Sequence, residues 1–296
     1  MAPGPGRTLR RRKLGKELQR LKEVSGQNLS ELARNTGLGT SALSKIFNGR
    51  TAILARNVRL ICQACGVGAP TMDTLIRLAE ESDDRGWWVA YSDTVPDWFA
   101  TYVDLESDAT VINAYSAELV DGLLQIPEYA EAVMRAGVSP VNDESLRRAV
   151  ELRRARQAIL DRAKPPQLNL VLNEAAVIRP TGGRAVQARQ LEHLVLMAQR
   201  PNIRLQILPF AVGEHPGMKG PFTLLRFPDD YRMSTASMDC VYLENANGEM
   251  WQERLSDIER YVTTFDRLQA LSLSPENTVE AISKLASDTR ESTREG

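Results

Sequence analysis

The segment NLSELARNTGLGTSALSKIFNGR, residues 28–50, restricts the possible folds more than any other part of the chain. Asn28 followed three residues later by Glu31 is the pattern of a helix N-cap with a reciprocal partner, and Gly37 can supply a turn that needs positive φ. Two short helices are predicted, one ending near Asn35 and one from about Thr40 to Phe47. Asn48-Gly49 stops the second. To pack across so short a turn they need a small residue at the crossing and apolar residues facing inward from both. Leu32, Ala33, Gly37, Leu43 and Ile46 fill those places. Leu14, Leu18, Leu21 and Val24 mark one face of a basic helix from Leu9, while Val58, Ile61, Cys62 and Cys65 mark a fourth helix. Leu75, Ile76, Leu78 and Ala79 mark a fifth.

Charge decides what such a bundle could meet. The 296 residues carry a formal net charge of only −1, yet residues 1–60 hold thirteen basic and three acidic side chains, an excess of ten positive charges. The rest of the chain is correspondingly acidic, so one end suits a polyanion and the other does not. A helix-turn-helix that binds double-stranded DNA fits this split. Its outward-facing residues on the second helix would be Thr40, Ser41, Ser44, Lys45 and Asn48, whose hydroxyl and amide groups can read base edges or bind phosphate. Lys45, Arg50 and Arg34 would neutralise backbone charge. These residues also suit a solvated helix face, and the assignment rests on their position. The run Arg10-Arg11-Arg12-Lys13 suits either an arm on the phosphates or minor groove, or a solvated charge run.

Beyond the acidic stretch at 80–86, TVINAYSA, QLNLVLNEAAVI, NIRLQILPF, GPFTLLRF and DCVYLEN have the length and β-branched content of strands. Helical patterns lie in PEYAEAVMRAG, ESLRRAVELRRARQAILDRA, RAVQARQLEHLVLMAQR and SDIERYVTTFDRLQAL. The alternation gives way to strands in quick succession, so an α/β domain with a mixed sheet is expected after an all-α N-terminal domain. The boundaries read as 9–67 for the helix-turn-helix domain, 68–86 for a helical connector, 87–274 for the α/β domain and 287–296 for a disordered tail.

No apolar run reaches the roughly 18–20 residues of a membrane span. The three cysteines suit a reducing cytoplasm better than a disulfide framework. Cys62 and Cys65 form a CxxC, but a zinc site needs two further ligands, and Cys240, His193 and His215 are far off in sequence. His215 beside Glu214 in a loop lacks any nucleophile context, and Glu174, Glu244 and Glu249 read as solvated carboxylates near strand ends. Gly182-Gly183 reads as a turn rather than a phosphate cradle, there being no Walker lysine and no GxGxxG. No enzyme, metal or cofactor is expected. Trp87, Trp88, Trp98 and Phe99 read as a packing cluster or, alternatively, a partner-binding surface.

With these features in place, residues 9–67 resemble the XRE/Cro-type helix-turn-helix domain. The remainder resembles the C-terminal domain of WhiJ-like regulators of actinomycetes, through WWVAYSD, AELVDGLLQIPEYAEAVMRA, VELRRARQ, LNEAAVIRP, QLEHLVLMAQRPNIRLQILPF, GPFTLLRFP, VYLEN and FDRLQALSLSPE. The resemblance implies a sequence-specific transcriptional regulator whose second domain engages a small BldB-like partner protein. An antitoxin-like protein, with DNA binding secondary to that partner, is the alternative. A homodimer is expected, because one short helix reads few base pairs and a symmetric pair doubles the interface. Four positions depart from the pattern: Leu29 replaces a phosphate-binding Gln, Gly39 a capping Ser, Phe47 a Glu, and Asp121 a Pro before GLLQ.

Overall fold

The computed structural model describes residues 5–81, 91, 97–137, 142–228, 238–245 and 248–294. Trp87, Trp88, most of the acidic stretch, and the side chains of Arg10, Arg12 and Trp98 lie outside the described residues. The chain forms two compact units, one of Met1–Ser92, Pro96–Leu105 and Phe227–Met238, the other of Asp93–Val95, Glu106–Arg226 and Asp239–Gly296. No single cut separates them. Phe227 and Met238 pack with the N-terminal core, which draws a segment of the later chain into the first unit.

The first unit is a helical bundle of α1 (Pro5–Val24), α2 (Leu29–Thr36), α3 (Thr40–Phe47), α4 (Ala55–Ala64) and α5 (Ala69–Glu81). Its core joins Leu14, Leu18, Leu32, Leu43, Ile46 and Ile61. Leu14, Leu18 and Leu21 are buried as their spacing predicts, but Val24 is exposed at the end of α1. Leu75, Ile76, Leu78 and Ala79 of α5 belong to the same core. The part of the expected connector that forms α5 thus packs in the bundle, since its apolar stripe has a face to cover.

The tightest crossing lies at a residue that periodicity does not single out. A Cβ on Gly15 of α1 would stand 2.5 and 2.6 Å from the carbonyl oxygens of Ile46 and Phe47, so α1 meets the last turn of α3 backbone to backbone. Gly15→Ala is expected to destabilise the bundle by about 1–3 kcal/mol through overpacking, although Ala is by itself the better helix former. Thermal unfolding checks this, and an unchanged or higher midpoint would mean that the helices can separate freely.

α6 (Asp97–Asp108) leads into the second unit, a six-stranded sheet with helices. In chain order it contains β1 (Val111–Ser116), α7 (Pro127–Arg135), α8 (Asp143–Gln157), β2 (Gln167–Asn173), α9 (Glu174–Ile178), α10 (Arg184–Met197), β3 (Ile203–Leu208), β4 (Phe222–Arg226), β5 (Cys240–Asn245), β6 (Gly248–Gln252), α11 (Leu255–Leu271) and α12 (Pro275–Arg294). The strand order is β3-β2-β1-β4-β5-β6. β1, β2 and β3 run parallel, and β4, β5 and β6 add antiparallel neighbours, so the expected mixed sheet is present. Helical crossovers supply the length that parallel pairing requires.

The structure corrects two expectations and adds one strand. QLNLVLNEAAVI is not one strand: β2 stops at Asn173, whose side chain accepts from the Ala175 N–H and caps α9. β6 is hidden in the sequence because GEMWQ has no β-branched residue and only Trp251 as a strand former, and it is held by register with β5, Tyr242 opposite Trp251. The tail is helical as far as Arg294 rather than disordered from 287. Ile282 and Ala286 of α12 are buried, Arg290 pairs with Glu192 of α10, and Arg184 donates to the Ser292 carbonyl at 3.3 Å. The edge of β3 is covered as well. The Ile207 N–H donates to Thr278 Oγ1 at 3.1 Å, and the Leu273 N–H donates to the Ile207 carbonyl at 2.8 Å.

Candidate nucleic-acid interface

The two helices of residues 28–50 are fixed at each end by their own sequence. Asn28 Oδ1 accepts from the Glu31 N–H at 2.9 Å while the Asn28 N–H donates to Glu31 Oε2 at 2.8 Å, closing the box that begins α2. Gly37 takes φ 70° and turns the chain. At the far end of α3, Gly49 at φ 62° lets the Arg50 N–H reach the Lys45 carbonyl at 2.9 Å and its own N–H reach that of Ile46 at 3.0 Å. This paired ending closes the helix after two turns.

With both ends set, the faces of α3 separate cleanly. Leu43, Ile46 and Phe47 are buried. Thr40, Ser41, Ser44, Lys45, Asn48 and Arg50 are exposed, and so is Arg34 on α2. By helical spacing Ser41, Ser44, Lys45 and Asn48 fall on the side of α3 opposite its buried residues, so hydroxyls, an amide and a cation, the groups that contact with bases and phosphates requires, lie along one face. Asn48 is partly committed, because its amide nitrogen donates to the Ser44 carbonyl at 2.8 Å. Its oxygen is the group left to act as an acceptor.

Two of the departures from the XRE pattern are filled by packing. Leu29 is half-buried against the bundle core, and Phe47 is buried within it. Gly39 precedes α3 without a side-chain cap, so no hydroxyl competes for the N–H groups of the first turn. The arm also needs revising. Arg11 and Lys13 are 4% and 5% exposed, so neither belongs to a solvated charge run or an open phosphate contact.

The residues set aside on sequence grounds sit as follows. Cys62 is fully buried, and burial pushes its thiol up to about 12, so it behaves as a small core residue. Cys65 is half-buried and free. No cluster of three metal-ligating side chains occurs among the described residues. His193 is half-buried, and desolvation lowers its pKa, favouring the neutral ring. His215 Nδ1 accepts from the Gly217 N–H at 3.2 Å, and its ring meets Tyr115 edge-on at 5.8 Å. Glu174 accepts from the Phe210 N–H, whereas Glu244 and Glu249 stand opposite each other on β5 and β6. Gly182 and Gly183 take φ of 74° and 87° in the turn before α10. Phe99 stacks on Tyr102 at 5.6 Å.

Comparison with known families gives two matches. Residues 13–75 match the model described as a helix-turn-helix domain, and residues 99–284 match a domain of unknown function, DUF5753. The chain belongs to the DUF5753 family. A search of curated proteins returns no match. The helix-turn-helix match takes in all of α2, α3 and α4 and more than half of α1 and α5, so this DUF5753 protein carries the fold of a DNA-binding regulator at its N-terminal end. No helix among the described residues is long and apolar enough to cross a membrane.

Proposed function

We propose that this DUF5753 protein is a sequence-specific transcriptional regulator that places α3 in the major groove of its operator and acts as a homodimer. The single observation that carries the reading is the split of α3, with an apolar inner face locked into the bundle and Thr40, Ser41, Ser44 and Lys45 presented outward. Thr40, Ser41, Ser44 and Asn48 read or position bases, and Lys45, Arg50 and Arg34 hold phosphates. The cationic excess of residues 1–60 adds the general attraction that such a helix needs. In the WhiJ-like pattern the second unit is the regulatory half, engaging a small BldB-like protein or a signal and performing no catalysis of its own. Such a protein works in the cytoplasm, on the nucleoid. Selection of preferred duplexes from genomic DNA by the full chain, repeated with Lys45→Ala and Arg50→Ala, tests the reading. A recurrent site is expected, and its absence would defeat it.

A further inference from the structure

Two arginines three residues apart on α8 have opposite fates. Arg156 is buried and forked onto Glu106, its Nε and Nη2 donating to the two carboxylate oxygens at 2.9 and 2.8 Å. Arg153 has no such partner. Its Nη1 donates to Gln125 Oε1 at 2.5 Å, and among the described residues it forms no ion pair with a carboxylate. It stays partly exposed, and neither its Nε nor its Nη2 is a fully buried donor without a partner.

The surroundings hold that guanidinium in place. Gln125 is itself tied down, its amide nitrogen donating to the Val120 carbonyl at 2.6 Å. Gln157 spans the same loop, donating to the carbonyls of Gly122 and Gln125 at 3.0 and 2.7 Å. A Cβ at Gly122 would lie 3.3 Å from Arg153 Nη1 and 3.6 Å from Arg156 Nη1, so both guanidinium groups lie close against this loop.

The nearby acids are poorly disposed to neutralise Arg153. Glu106 is committed to Arg156, and Glu244 accepts from the Tyr242 hydroxyl at 3.1 Å. Asp121 accepts from the Leu123 N–H at 2.8 Å, and burial pushes its carboxyl upward, toward the neutral form. Desolvation, together with the repulsion of Arg156, outweighs the pull of all three and draws Arg153 down to about 10. A planar fork with N–H donors to spare, in no ion pair with a carboxylate and fixed by its neighbours, matches the geometry of a carboxylate or phosphate group.

We propose that Arg153, held by Gln125 above Gly122, anchors a binding site for a small oxyanion, the carboxylate or phosphate group of an effector molecule of the DUF5753 domain. The site does not depend on the DNA reading. The test is isothermal titration of the full chain with inorganic phosphate in one arm and succinate in the other, at ionic strength held constant with chloride. Saturable binding is expected in at least one arm, and the arm that saturates identifies the chemistry. Arg153→Lys, which keeps the charge but loses the fork, should weaken that binding about tenfold or more. Arg153→Gln should abolish it, and Arg260→Gln, at an exposed position of α11, should leave it unchanged. If the Gln variant does not fold, the Lys variant alone decides. Absence of saturable binding to either anion, or equal affinity in Arg153→Lys and the unaltered protein, would overturn the proposal.

Discussion

Glu106→Gln should lower the stability of the second unit by about 3–5 kcal/mol, the cost of leaving one member of a buried ion pair without its partner. The side chains of Arg156 and Glu106 are only 6% and 1% exposed, and both hydrogen bonds of the fork are short. Removal of the carboxylate charge strands a guanidinium where water does not reach it. The double replacement Glu106→Leu with Arg156→Met should recover much of the loss, because an apolar pair of similar volume avoids the desolvation that the ions suffer. Urea unfolding of the full chain followed by circular dichroism checks both. A loss below about 1 kcal/mol for Glu106→Gln would place the pair in the range of solvated surface bridges.

Leu43→Ala is the second large effect, expected at about 2–5 kcal/mol for a buried Leu truncated in a packed core. Leu43 is fully buried and lies between two residues, Ala42 and Ser44, that are exposed. Its loss should loosen the seat of α3 and reduce DNA affinity together with stability. Ser44→Ala, one position on, touches only the outer face and should leave stability within about 0.5 kcal/mol. Hydrogen exchange of the α3 amides reports the difference directly. If Leu43→Ala left both exchange and unfolding unchanged, the division of α3 into an inner and an outer face would be wrong.

The residues that reveal themselves in the sequence are those whose roles are local. Asn28, Glu31 and Gly37 act within a few residues of themselves, and the structure realises the cap and the turn as the pattern indicates. Leu32, Leu43 and Ile46 follow the same logic through helical spacing, and β1 through β5 through their β-branched runs. The features that stay hidden depend on distant neighbours. Gly15 matters because two carbonyls of α3 lie against it, and nothing around it in α1 signals that. GEMWQ becomes β6 through pairing with β5, and the polar C-terminal segment becomes helical because α12 has α10 to pack on. EAAVI reads as strand from its Val-Ile pair, yet the Asn173 cap directs it into α9. Charge is similarly opaque: Arg11, Lys13, Glu106 and Arg156 look like surface residues in the sequence and are buried in the fold. The outer face of α3 is legible as a position, since burial of Leu43, Ile46 and Phe47 at helical spacing leaves the remainder outside.

The most direct test is the salt dependence of affinity for the selected duplex, compared between the unaltered protein, Lys45→Ala and Arg50→Ala, with circular dichroism showing each variant folded. Affinity should fall steeply with salt, and each variant should bind more weakly with its log–log slope reduced by about one phosphate contact. Preference for the selected site should persist across the salt range. Unchanged slopes and affinities in both variants, with the bundle intact, would mean that this face of α3 does not meet DNA.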